Sequence, residues 1–374
     1  GSGSCQAPSM RYKGVDHFAV LSAWVVFSAS ALKALPEALA DGRSVARPCF
    51  RLPPGDAIMR GPTFAPPPQE AVEEGPDPQA AELRARFERE ARNCSHQRHG
   101  GPSLPDLGVG SSLSFALRPF TRAYVHRMAL QTPVTSGGTP ITRYGLKPLD
   151  ECLGAPSYSH PLEKKAEHVP PEFADQGLFW WTSQQFAWLL RPDDAFREHL
   201  AELKGSFGWE QSRPILGLHI RHGDSCNPHQ EVVGLRKCQG LEAYMPAIRK
   251  LAGTYGYKAI YLATDDAEVM RRAPADFPEF QWMLSPSRRA QNRSAELNQH
   301  ENRSGSVNMA AEYRDVLTDL FMLADADGFV GKFTSNVDRI AYSLGFGRRG
   351  CAVPMESLDS LWCSSWGNRV GRSL

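Results

Sequence analysis

The second half of the chain alternates short apolar runs with amphipathic helical segments, and this alternation restricts the fold more than any other feature. "ILGLHI" (215–220) is followed by helical spacing in "GLEAYMPAIRKLAGTYG". "KAIYLATDD" (258–266) leads into "AEVMRRAP", and "FQWMLS" (280–285) into a polar stretch over 286–308. "AAEYRDVLTDLFMLADA" then precedes "GFVGKF" and "TSNVDRIAYSLG". Continuous apolar runs read as strands buried on both faces, and strands joined through helices lie parallel. The pattern therefore predicts an α/β fold with a parallel sheet covered on both sides. Two helices precede it. "LFWWTSQQFAWLLRP" (178–192) is aromatic-rich and ends at Pro192, with Trp180, Trp181 and Trp188 reading as core. "DDAFREHLAELKGSFG" is amphipathic and is stopped by glycine.

The first half is less regular. Residues 11–47 read as a glycine turn and a long apolar helix, 48–80 as proline-dense loop, and 81–93 as a helix. Residues 100–176 show few clear elements, and the last thirty or so residues read as loop. The uncharged run from Phe18 to Leu32 is 15 residues long. A membrane helix needs about 20, so the run is expected to be a buried helix.

Composition narrows the function. Charged residues make up 22% of the chain and the net charge is +1, which gives no case for a nucleic-acid or membrane-surface partner. An anionic ligand would have to be met by a local cluster of cations. Eight cysteines, at 5, 49, 94, 152, 226, 238, 351 and 363, include no C-x-x-C pair. That spacing suits disulfides rather than zinc, and Cys226, Cys238, Cys351 and Cys363 are the candidates singled out. Sequons at Asn93, Asn292 and Asn302 point to the same oxidising, secretory compartment. The opening Gly-Ser-Gly-Ser reads as an added linker, no signal peptide is legible, and a natural membrane anchor is expected to be missing from this chain.

Loops just past buried strands often carry ligand-binding groups, and in a doubly wound sheet ligands bind at the strands' carboxyl ends. Three such ends are polar: "HIRHGD", "ATDD" and "GKFTSN". The third puts Thr334, Ser335 and Asn336 at a helix N-terminus, where hydroxyls and backbone N–H groups can hold an anion. Arg221 could add a two-pronged contact to the same phosphate. Together they predict a diphosphate site that needs no metal. "DAD" (325–327) has the spacing of a metal motif but falls at a helix-to-strand junction, where an ordinary structural role is expected.

The segments "FWWTSQQFAWLLRP", "ILGLHIRHGD", "LEAYM", "YLATDD" and "VLTDLFMLADADGFVGKFTSNVDRIAYSL" resemble, in order and spacing, the α1,6-fucosyltransferases of glycosyltransferase family 23. These are related to the nodulation and protein O-fucosyltransferases. The resemblance implies a GT-B fold of two Rossmann-like domains. Residues 5–205 would form an acceptor-side domain with proline-rich insertions, and 206–374 the domain binding the nucleotide sugar. It implies an inverting, metal-independent transfer of fucose from GDP-fucose to a glycan or glycoprotein in the Golgi lumen, without a cofactor. A core GlcNAc of an N-glycan is the first choice of acceptor.

By position the resemblance gives Arg221 the β-phosphate and Asp319 the guanine edge. It gives His219 a backbone contact to the base or ribose, and Ser335 and Asn336, beside Thr334, the phosphates. Asp265 and Asp266 match paired aspartates of the family, one of them open to a helix-capping role, and Gly14 matches a glycine turn near the phosphates. The family's loop reads His-x-Arg-Arg then Thr-Asp-Lys, whereas this chain has His219-Ile-Arg221-His222-Gly223-Asp224-Ser225, without the second arginine and the lysine. Between Cys226 and Cys238, expected to close a local disulfide, Glu231 is the candidate general base, with Asp224 as its substitute or as a group orienting Arg221. Two rivals stay open: a protein O-fucosyltransferase or other GDP-sugar transferase, and a non-catalytic relative that binds a glycan or protein.

Overall fold

The computed structural model describes residues 47–52, 55, 58, 61–75, 77–93, 98–99, 103–104, 109–135, 139–149, 157–158, 169–226, 238–286 and 309–363. Gly14, the run from Phe18 to Leu32, Glu231, and the sequons at Asn292 and Asn302 lie outside them.

Among the described residues the first strand is β1 (Thr63–Phe64) and the first α-helix α1 (Pro78–Arg92). Asp77 caps α1 by accepting from the N–H groups of Gln79 and Ala80, with Pro78 at the first helical position. Residues 100–176 hold more helix than the sequence suggests: α2 (Val109–Phe115) and α3 (Leu117–Val125). Their serines, a glycine and Pro119 weaken the local helical signal, and packing supplies what propensity does not. Two-residue strands pair in parallel nearby, Arg98–His99 between Ala129–Leu130 and Ser157–Tyr158, and Ser103–Leu104 beside Val134–Thr135.

The aromatic helix is α4 (Gly177–Leu189), and Trp180, Trp181 and Trp188 are buried in it, as core residues. The amphipathic helix is α5 (Asp194–Phe207). Asp193 caps it by accepting from the Phe196 N–H at 2.8 Å, and Gly208 ends it at φ +61°, a left-handed conformation that side chains resist.

Strand and helix then alternate as expected: β2 (Ile215–Ile220), α6 (Met245–Tyr255), β3 (Ala259–Thr264), α7 (Ala267–Asp276), β4 (Gln281–Leu284), α8 (Met309–Asp325), β5 (Gly328–Gly331) and α9 (Asn336–Arg349). One element corrects the reading of the tail as loop. β6 (Met355–Ser357) pairs in parallel with β5, and β1 adds antiparallel to its free edge. Three residues are too few to show a period, so only the pairing reveals the strand. The sheet order is β1-β6-β5-β2-β3-β4, parallel throughout except for β1.

Alternate strand residues serve two cores. Leu216, Leu218 and Ile220 of β2 pack with Met245, Ile248 and Leu251 of α6 and with Val269 of α7. Ile215 and the β3 residues Ala259, Tyr261 and Ala263 face the larger core, which holds Trp181, Leu317, Phe321, Ile340 and Leu344. This core runs across the division expected at residues 205 and 206, since α4 and α5 share it with α8 and α9. Disulfides join Cys49 to Cys351 and Cys226 to Cys238, and Cys363 is disulfide-bonded as well. In the chain-entropy view the first, spanning 302 residues, stabilises by roughly 5 kcal/mol. Among the described residues no helix is long and apolar enough to cross a membrane.

The contact of α4 with α9 depends on Gly347. A methyl group there would lie 2.8 Å from the Ser183 carbonyl carbon and 3.1 Å from the Ala187 side chain. Gly347→Ala is expected to destabilise by about 2 kcal/mol through overpacking and to lower the thermal midpoint by several degrees. An unchanged midpoint would refute so tight a helix contact.

Candidate functional site

β2 lies between β5 and β3, and the chain leaves it toward β3 on one side and is rejoined by β5 on the other. This is a topological switch point, where neighbouring loops diverge and leave a crevice at the strands' carboxyl ends. Because Ile220 pairs with Thr264, the residues after β2 and β3 emerge side by side. Arg221 donates to Asp265 Oδ2, and the other oxygen of Asp265 accepts the His222 N–H at 2.8 Å. The Arg221 side chain keeps 25% of its surface exposed, against 10% for Asp265. Gly223, at φ +42°, completes the turn, and a Cβ there would lie 2.6 Å from Asp265 Oδ2. Asp265 is thus the carboxylate that orients the guanidinium. Asp224 lies in the 3-10 turn Gly223–Cys226 directly beyond it.

Asp266 caps α7. Its Oδ1 accepts from the N–H of Glu268 at 2.8 Å and of Val269 at 3.4 Å, which is worth about 1 kcal/mol. Its Oδ2 lies 2.6 Å from His222 Nδ1, and His222 Nε2 lies 3.0 Å from the Gln239 carbonyl oxygen. Gln239 follows Cys238, so His222 fastens the stem of the disulfide loop to the end of β3. His222, Cys226 and Cys238 come together within 4.8 Å, but the two sulfurs are bonded to each other and offer no thiolates to a metal. The "DAD" carboxylates are occupied too. Asp325 pairs with Lys204 and Arg348, and Asp327 pairs with Arg213 and accepts the Ile215 N–H at 2.8 Å.

The turn after β5 carries the other half of the site. Ser335 is the extended N-cap of α9 and makes no side-chain capping bond. Thr334 directs both its N–H and its hydroxyl at Asp359. Burial raises the Asp359 carboxyl above its ordinary range, against the effect of those bonds. The Asn336 amide is engaged at both ends: it donates to Ser111 Oγ at 2.6 Å, and its oxygen accepts from Arg339. Arg339 is buried and also donates to the Phe333 carbonyl oxygen at 3.1 Å, which sets the shape of the turn. What Thr334 to Asn336 can still offer an anion is therefore Ser335 and the N–H groups at the start of α9.

Beneath this turn Asp338, fully buried in the first turn of α9, points back at the sheet. Its Oδ2 lies 2.7 Å from His219 Nδ1, and its Oδ1 accepts the Lys332 N–H at 3.2 Å. The carboxylate fills the place a Cβ on Gly331 would take. Burial alone would lower the His219 imidazole. The charge and hydrogen bond of Asp338, with Asp265 and Asp319 adding, outweigh it and hold the imidazole above its ordinary value. Lys332 has its ammonium 5.5 Å from the ring centre of Tyr244, a buried phenol raised by burial and by Asp338, Asp359 and Asp265.

Asp319, on α8, accepts the Tyr261 hydroxyl at 2.7 Å. Burial pushes its carboxyl up to about 6, against hydrogen bonds from Ser285 and Tyr261. Arg221, Asp265, Asp266, His219 and the turn at 334–336 thus share one edge of the sheet. Asp319 joins them through His219, whose charge it feels. Sequence reasoning did not find Ser111, Lys332, Asp338, Arg339 or Asp359. Only Asp338 left a trace, as an acid three residues past the helix cap Ser335, where an acid commonly serves the helix end.

A family model described as alpha-(1,6)-fucosyltransferase N- and catalytic domains matches residues 167–362. An alpha-(1,6)-fucosyltransferase of Drosophila melanogaster is 27% identical over 221 residues, which is 55% of this chain and 32% of the fly protein. One of Caenorhabditis elegans is 26% identical over 159 residues, 42% of this chain and 26% of the worm protein. The chain thus spans about a third or less of the length of these curated relatives. In structure it is similar to the NodZ alpha-1,6-fucosyltransferase co-crystallised with GDP, at a TM-score of 0.39 and 15% identity, covering 66% of this chain and 91% of that one. The family match takes in just over half of the chain and every strand-end residue described above, and the chain belongs to the alpha-(1,6)-fucosyltransferase family.

Proposed function

We propose that the chain is an inverting, metal-independent fucosyltransferase of GT-B architecture, acting in the Golgi lumen. It moves fucose from GDP-fucose to a glycan hydroxyl, with the core GlcNAc of an N-glycan as the first acceptor to test. In this reading residues 206–374 bind the donor and 5–205 face the acceptor. The observation that carries it is that a partly exposed arginine after β2 and the start of α9 after the neighbouring parallel strand β5 lie on one edge of the sheet at its switch point, in a chain of this family.

A base takes the proton of the acceptor hydroxyl, whose oxygen attacks the anomeric carbon from the side opposite the diphosphate. The carbon–oxygen bond to GDP breaks, and negative charge grows on the β-phosphate. Arg221 and the N–H groups opening α9 stabilise that charge, which is how a departing anion is best helped. The Asp319 carboxylate accepts from guanine N1–H and N2–H. Glu231 is the base of first choice and Asp224 of second. Glu231→Gln and Asp224→Asn, assayed separately for transfer and for GDP binding, tell them apart.

One observation favours a second reading, a relative that binds GDP without turnover. The guanidinium of Arg221 is already paired with Asp265, and the family's second arginine and lysine are replaced by other residues. GDP binding with no donor consumption over a panel of acceptors would select it.

The Arg221→Lys variant keeps a cation for Asp265 but loses the planar fork. It should fold normally and lose on the order of 100-fold in transfer, like the removal of one transition-state donor. A loss of only a few-fold would end the assigned role. Asp319 sets the acid side of donor binding. Below about pH 6 its carboxyl carries a proton and no longer accepts both guanine N–H groups. GDP affinity measured by calorimetry should therefore fall as pH drops through that value. Asp319→Asn should weaken GDP binding roughly 10- to 100-fold at neutral pH, the usual cost of a charged hydrogen bond, and remove this acid limb. Finally, transfer should persist in EDTA, since the protein's own cations hold the phosphates. A loss restored by manganese would overturn that part of the mechanism.

A further inference from the structure

We propose that His219 and Asp338 are positioning residues for the donor's diphosphate: the imidazolium cancels a buried carboxylate that would otherwise oppose the phosphates at the start of α9. The inference rests on the donor-site reading above. Neither side chain needs to touch the ligand.

The geometry poses an electrostatic problem and its solution. An anion at the start of α9 gains from the helix dipole and the free N–H groups. Asp338 sits in that same first turn, fully buried, and an uncompensated charge there acts through low dielectric on whatever binds above. Its Oδ2 is 2.7 Å from His219 Nδ1. His219 extends from β2 on the same side of the strand as Arg221, two residues on, and is 6% exposed. The groups facing it are Asp338 from α9, Asp265 from the end of β3 and Asp319 from α8. Those facing Asp338 are the backbone N–H of Lys332, the Tyr244 phenol from the α6 side and Asp359 beyond β6. His219 therefore stands between the carboxylate beneath α9 and the carboxylate that holds Arg221. With its proton, the pair with Asp338 is neutral and the donor meets the helix end and Arg221 alone. Without it, a net negative charge remains under the phosphates. Donor affinity then falls on the alkaline side.

The test is calorimetric GDP binding from pH 6.5 to 9 with the wild-type chain, Asp338→Asn and His219→Asn, all near-isosteric changes. Titration of GDP's own phosphate is common to all three and cancels in their ratios. Wild-type affinity should fall about tenfold more than that of Asp338→Asn across the range, a conservative figure for one buried charge near a diphosphate. His219→Asn should bind about tenfold more weakly than wild type at pH 6.5 and converge on it at pH 9. A second measurement needs no variant. Linkage is reciprocal, so GDP should raise the NMR titration midpoint of the His219 imidazole in the wild-type chain. Parallel pH profiles for wild type and Asp338→Asn, or a midpoint that GDP leaves in place, would overturn the inference while leaving the donor site intact. Absence of GDP binding in all three proteins at every pH would overturn the donor-site reading as well.

Discussion

The parallel pairing of β2 with β3 on one side and β5 on the other is the constraint on which the site depends. Six residues of β2 match six of β3, from Ile215 with Ala259 to Ile220 with Thr264. Both faces are covered, so the register is fixed by what each face must receive. A slip of one residue would turn every side chain over. Leu218 would then point at Asp338, and His219 into the aliphatic packing of α6. Gly217 tightens the choice, because a Cβ there would lie 3.0 Å from that of Ala326. Fixing this register puts Arg221 beside Asp265 and His219 beside Asp338 in one step.

Carboxylates dominate the crevice, and their partners make it stable. Asp265, Asp266, Asp338 and Asp359 each accept from at least one backbone N–H as well as from a side chain. Leaving one such acid unpaired would cost several kcal/mol, so the backbone donors are as necessary as the cations. The arrangement also separates support from contact. Asp266 and His222 fasten the loops, and Asn336 and Arg339 shape the turn after β5. Arg221 keeps a quarter of its side-chain surface exposed, and Ser335 caps no N–H of α9. Asp319 stands apart, raised to about 6, because hydrogen bonds from two hydroxyls, with the charge of His219 adding, offset its burial only in part.

How far this could be read in advance follows from what a linear pattern can carry. Arg221 was legible because a cation directly after an apolar run breaks the expected polarity of a strand end. The turn at 334–336 was legible because hydroxyl and amide residues before an apolar period mark a helix start. The capping role left open for one of the paired acids falls to Asp266, which sits next to α7. The partner of His219 was not legible, since it comes from an element 119 residues away. The Cys49–Cys351 bridge spans 302 residues, and no spacing rule reaches so far. β6 was missed for want of length, and α2 because its helicity comes from docking: Gly110 meets Asn336 and Ser111 accepts from it.

The departures from the family's loop also acquire a physical meaning. His222, where the family has its second arginine, turns into the protein, with one ring nitrogen at Asp266 and the other at the Gln239 carbonyl. It has become a fastener for a loop that a disulfide closes. Two other basic side chains lie at this edge of the sheet, one of them the histidine that the family's loop shares. Lys332 follows β5 with its ammonium above Tyr244, and His219 lies under the start of α9. These are not equivalent to an arginine. A guanidinium is charged at every pH a protein meets, whereas an imidazole gains and loses its proton near neutrality even when a carboxylate holds its affinity high. His219, which the family's loop shares, is the titratable group here, and it is held 2.7 Å from Asp338, a carboxylate buried in the first turn of α9.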